Sequence, residues 1–129
     1  MSDEKIVCAC NGGVSLIFPC SGAADVGEIS DRAARELSAH GHGKMSCLAG
    51  IGGNISGMIA SACGADRVLV IDGCAQECAK KTMKDKGIED FIHLRVIDLG
   101  MIKTKSPATP ERIEQVVQKG QELLFNQGI

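Results

Sequence analysis

Seven cysteines are spread over a chain of 129 residues. Three of them, Cys20, Cys47 and Cys74, recur at an interval of 27 residues, and Cys78 lies four residues beyond the third. Thiols serve as disulfide partners, metal ligands or nucleophiles, and the compartment decides among these uses. The opening Ser2-Asp3-Glu4-Lys5 is not the start of a secretory signal, and no run approaches the ~18 apolar residues of a membrane span. The expectation is therefore a cytoplasmic chain with reduced thiols, free to bind metal or do chemistry.

An interval of 27 residues is about what a strand, a turn, a helix and a return turn consume. The apolar runs agree with it. Val14-Ser15-Leu16-Ile17-Phe18 reads as a strand buried on both faces, Lys44 to Leu48 as a weaker one, Arg67 to Asp72 as the clearest and Phe91 to Asp98 as a fourth. Val26, Ile29, Ala33 and Leu37 recur at helical spacing, with Asp25 placed as cap, Glu28 three residues on and Gly41 as the stop. Gly50 to Gly53 read as a glycine-rich turn. A second amphipathic helix carries Ile55, Met58, Ile59 and Ala62, and a third runs from about Cys74 to Lys86. Thr109 and Pro110 open a last helix whose apolar face is Ile113, Val116, Val117, Leu123 and Leu124.

This alternation predicts an α/β fold: a three-layer sandwich, Rossmann-like, with a mostly parallel sheet of about four strands and helices on both faces. Residues 1–13 read as an N-terminal arm or edge strand and residues 14–129 as one domain; no composition shift marks a second. Apolar residues are 44% of the chain, enough for one core, but aromatics are 2%. Few rings and a net charge of −2 argue against nucleic acid as a partner.

In such a sheet, each repeated cysteine falls just past a strand and just before a helix. Parallel strands put all three positions on one edge, where open α/β sheets take their ligands. A helix over Cys74 to Lys86 would set Cys78 one turn along, on the same side. Four thiolates suit zinc in a tetrahedral site, with Zn–S near ~2.3 Å and a formal charge of about −2. Helix N-termini aimed at the site would lower thiol pKa values. The metal candidates are thus Cys20, Cys47, Cys74 and Cys78, with Cys8, Cys10 and Asp72 as lesser additions. Cys8 and Cys10 read more readily as part of an inert arm, or as a redox pair, and Asp72 as a cap accepting hydrogen bonds from the next helix. Buried cysteines that merely fill gaps are the bland alternative, but they do not account for the common position.

Pro19-Cys20-Ser21-Gly22, Met45 to Gly50, Ile71-Asp72-Gly73-Cys74 with Cys78-Ala79, and Leu99 to Lys103 together resemble the DGC-domain family of zinc-binding proteins. The family takes its name from the Asp-Gly-Cys signature, and the likeness covers about Val14 to Lys103. It implies that the family's four characteristic cysteines are Cys20, Cys47, Cys74 and Cys78. It implies no reaction.

Other features weigh less. Cys63, His40 and His42 belong at the far edge of the sheet, and His93 reads as a partnered residue inside its strand. Gly50 to Gly53 could hold a small anion through backbone N–H groups, although Ile55 stands where a dinucleotide pattern needs glycine. Met101, 27 residues after Cys74, reads as an apolar lid. Lys103 and Lys105 could offset the site's charge. A homo-oligomer is compatible with the chain. The leading reading is a zinc protein of unknown role. The alternatives are an enzyme using the metal or a thiol, and a redox protein or iron–sulfur cluster protein on the same cysteines.

Overall fold

The computed structural model describes residues 13–127. Four strands, β1 (Ser15–Pro19), β2 (Lys44–Met45), β3 (Arg67–Asp72) and β4 (Ile92–Arg95), form one sheet in the order β2-β1-β3-β4. All three pairings are parallel, with Ile17 opposite Leu69 and Leu69 opposite Ile92. Five α-helices accompany it among the described residues: α1 (Asp25–Ala39), α2 (Leu48–Gly52), α3 (Ser56–Gly64), α4 (Cys78–Asp85) and α5 (Pro110–Gln127).

The strand order makes the chain reverse direction after β2, so its crossovers fall on opposite faces. Side chains alternating along the strands record this as two cores. Ile17, Leu69, Ile71 and Leu94 pack with Val26, Ile29 and Leu37 of α1 and Ile113, Val116 and Leu124 of α5. Leu16, Phe18, Val68 and Val70 pack with Ile51 of α2, Ala62 of α3 and Met83 of α4. Each fully buried Leu, Ile or Phe contributes about 1.5–3 kcal/mol.

Helix ends follow local chemistry. Gly41 (φ +81°) lets the His42 N–H reach back to the Leu37 carbonyl, closing α1. Gly87 (φ +82°) does the same for α4, with Ile88 donating to Met83. The Thr109 hydroxyl accepts from the Arg112 N–H at 3.2 Å, so the expected cap of α5 forms, with Pro110 as its first residue.

Several sequence expectations change. The helix expected from Cys74 begins at Cys78, because Gly73 to Glu77 make a turn and Glu77 takes a left-handed conformation (φ 56°) just before the helix. Gly50 to Gly53 are not an open turn; Leu48–Gly52 is a short helix, and Gly50 and Gly53 donate to Cys47 and Ala49. The strand expected over Phe91 to Asp98 stops at Arg95 and tightens into a 3-10 turn, Val96–Leu99. α3 buries only Ala62, so its apolar spacing describes a loosely seated helix rather than an amphipathic one. Asp25 lies inside α1 rather than at its cap, which is Ala24. Most of the arm or edge strand expected over residues 1–13, with Cys8 and Cys10, lies outside the described residues.

Candidate functional site

The parallel strands end together, and the expected cysteines gather at that edge. Cys20 directly follows β1, and its N–H donates to the Ile71 carbonyl at 2.8 Å, continuing the ladder. Cys74 is two residues past β3, Cys47 is the N-cap residue of α2, and Cys78 is the first residue of α4. Cys20 and Cys74 are half-buried; Cys47 and Cys78 are exposed. Cys20 packs against the Phe18 core and Cys74 against the Leu69 core, so the two thiols straddle the sheet from opposite faces. They do so where the chain leaves β1 for one face and β3 for the other, the position at which open α/β sheets bind ligands.

The Cys20 thiol responds to this placement. Burial pushes its pKa above the ordinary thiol value, and the negative charges of Asp72, Cys78 and Cys74 push the same way. A backbone hydrogen bond from Gly22 opposes them. Helix N-termini were expected to lower thiol pKa values; at Cys20 desolvation and like charge prevail. Asp72, Cys74 and Cys78 thus lie close enough to Cys20 for their charge to reach its thiol. Cys47 is the outlier. It faces a cavity of about 840 Å³ on the β2 side, lined by Pro19, Ser21, Met45, Leu48 and Met58.

Asp72 ends β3 and is 1% exposed. Its Oδ1 accepts from the Ala79 N–H at 2.8 Å, and its Oδ2 accepts from the Lys80 N–H at 3.0 Å. These N–H groups have no partner within α4, so Asp72 caps the helix that begins with Cys78. His93 Nε2 adds a third contact, 2.8 Å from Oδ2. The carboxylate is thereby committed to anchoring, which sets it apart from the cysteines as a ligand candidate.

Neighbouring contacts fix the loops. Arg95 bridges Glu77 at 3.3 Å and Asp98 at 2.8 Å, pinning the turn between Cys74 and Cys78 to the end of β4. The Asp25 carboxylate accepts from Thr104 at 2.9 Å and Ser106 at 3.0 Å, holding the loop that carries Lys103 and Lys105 against α1. Met101 is buried in the core that Cys74 joins.

Cys63 lines a cavity with Arg67, Val68 and Phe91, where β3 and β4 begin. His42 lines another with Ser15 and Lys44, and its ring stands edge-on to His40. Both belong to the opposite edge, as the spacing predicts. His93, expected as a partnered residue inside its strand, reaches Asp72 because the β3–β4 register sets Asp72 opposite Arg95 and Val70 opposite His93.

Thiols are soft donors of the kind a soft divalent ion takes, and Cys20, Cys74 and Cys78 lie at one edge with Cys47 on the adjoining loop. The arrangement is open: among the described residues, no three His, Cys, Asp or Glu side chains form a ready ligand group. No helix among them is long and apolar enough to cross a membrane.

Fold and mouth define a parallel α/β protein with a thiol-lined edge. The chain belongs to the DGC-domain family, whose model matches residues 16–120. It is similar to the Anaerobic and virulence modulator AnvM of Pseudomonas aeruginosa (strain PAO1), at 28% identity over 88 residues, 68% of this chain and 67% of that one. No solved structure matches it.

Proposed function

We infer that this protein binds zinc through Cys20, Cys74 and Cys78, with Cys47 completing the set, and that it acts as a regulatory module rather than as an enzyme. The observation that carries the reading is the placement of Cys20, Cys74 and Cys78 at one edge of the sheet, delivered by two strand ends and one helix start. Burial chiefly, and nearby negative charge in addition, hold the Cys20 pKa up; a bound divalent cation would act against both and favour the thiolate. The open arrangement means that binding draws the Cys47 and Cys74 loops inward, so loading stabilises the edge as well as occupying it. A regulatory role accords with the modulator named among its relatives. Five free thiols and no disulfide among the described residues suit a reducing cytoplasm.

The test is elemental analysis of anaerobically purified protein, with melting measured before and after chelation. About one zinc per chain, lost in Cys74→Ala together with a fall in melting temperature, is the expected result. Full zinc content in Cys20→Ala, Cys74→Ala and Cys78→Ala would refute the assignment. Stoichiometric iron with visible absorbance would replace zinc by an iron–sulfur cluster on the same residues.

A further inference from the structure

We propose that His93 is a positioning residue for this site: through Asp72 it holds the N-terminus of α4, and with it the place of Cys78 relative to Cys20. The inference rests on the reading of the edge as a metal–thiolate site.

His93 occupies a place that sequence alternation would give to an apolar side chain. Along β4, Leu94 enters the core beneath α1 and α5, so His93 faces the other layer, beside α4. Its ring is 19% exposed, and a polar ring so far withdrawn from water is costly unless its nitrogen is paired. The pair is with Asp72. The Phe91 ring meets the His93 ring edge-on, with centroids 6.4 Å apart, limiting its rotation. The acceptor is a carboxylate, so Nε2 carries the proton and donates.

Asp72 relays this hold. One of its oxygens accepts from Ala79 alone, and the other is shared by Lys80 and His93. Those two amides are the second and third of α4, directly behind Cys78. Asp72 alone could swing about its side-chain bonds while keeping one amide. With His93 fixing Oδ2 from β4, the carboxylate is held by two neighbouring elements, and α4 is registered against the sheet. Cys20 is tied to the same point, because its N–H bonds to Ile71, the residue before Asp72. His93, Asp72, Ile71 and Cys20 thus form a continuous bonded path between the two thiols' supports. Groups bonded directly to a metal ligand typically change affinity by about 10–100-fold when removed; His93 acts one bond further out, through Asp72, so a smaller effect follows.

The test compares wild type, His93→Ala, His93→Asn and His93→Gln. Gln places a donor amide at about the reach of Nε2, and Asn falls short of it. Zinc affinity, measured with Zn²⁺ alone against a chromophoric chelator, should fall several-fold in H93A and H93N and recover in H93Q. A metal-free readout uses the same variants carrying Cys74→Ser. A short bismaleimide adds to one thiol and then bridges Cys20 to Cys78; both additions take up the S–H across a C=C bond and release nothing. The bridging step should slow several-fold in H93A and H93N, while the first addition keeps its rate, and H93Q should restore it. A variant that merely unfolded would also change the first addition and lose cooperative melting, and H93N against H93Q then decides. Unchanged bridging in H93A, or unchanged zinc affinity in a protein whose wild type binds zinc, overturns the proposal. A wild type that binds no zinc refutes the metal reading alone, and the bridging rate then decides the role of His93.

Discussion

Gly73 lies so close to Val26 that a Cβ built on it would stand 2.8 Å from the Val26 carbonyl carbon and oxygen. The glycine of the Asp-Gly-Cys signature is therefore the place where the loop after β3 touches the first turn of α1. That contact sets Cys74 beside the loop that carries Cys20. Gly27 repeats the device one layer on, since its own Cβ would meet Gly22 at 2.8 Å. Both contacts are with backbone, which cannot swing aside as a flexible side chain can.

Gly73→Ala should consequently destabilise the protein by about 1–3 kcal/mol, the usual cost of overpacking a tight contact. It should also weaken zinc binding, because the loop bearing Cys74 must move away from Cys20. Urea denaturation with the zinc titration checks both. Wild-type stability in the mutant would mean that α1 shifts freely at this point.

Cys20 should alkylate slowly at neutral pH, and its rate should rise only above the ordinary thiol range, because burial and like charge hold its pKa up. Asp72→Asn removes one of the charges and keeps an oxygen acceptor. The profile should then move toward lower pH, though only in part, since burial is the larger cause. Peptide-resolved iodoacetamide labelling from pH 6 to pH 10 reads this directly. A profile that moves upward in the mutant would contradict the account.

The Asp25 carboxyl is held below the usual carboxylate range, chiefly by the Thr104 N–H and further by the Ser106 and Val26 N–H groups. A pKa depressed in the folded state contributes stability that is fully present above the unfolded value, ~3.9, and is lost as pH falls through the folded value. Asp25→Ala should therefore lower the melting temperature at pH 7, and the gap to wild type should close as pH falls below about 4. A gap that widens in acid would reverse the sign and refute the role.

Phe18 is the sole fully buried aromatic among the described residues, at the centre of the α4-side core. Phe18→Ala should cost about 3–5 kcal/mol in denaturant unfolding. Phe125, 69% exposed, should tolerate the same change within about 0.5 kcal/mol.

A parallel sheet, its four strands and the positions of Cys20, Cys47, Cys74 and Cys78 along one edge, each past a strand or at a helix start, are legible in the chain. Strand periodicity and a 27-residue interval are local, repeating signals, and a parallel sheet converts equal intervals into equal positions. The opposite placement of Cys63, His40 and His42 follows from the same rule. What the spacing does not contain is the contact between elements. Glu77 entering a left-handed conformation moved the start of α4 from Cys74 to Cys78. Asp25 looked like a helix cap, yet its oxygens turn to Thr104 and Ser106, residues about eighty positions away. His93 gave no sign of joining the site, because whether it meets Asp72 depends on strand register and side-chain reach. Periodicity reports where a residue falls along its own element, and so determined the edge on which these cysteines lie. Hydrogen bonds between elements depend on distances accurate to a few tenths of an ångström, which only the packed structure decided.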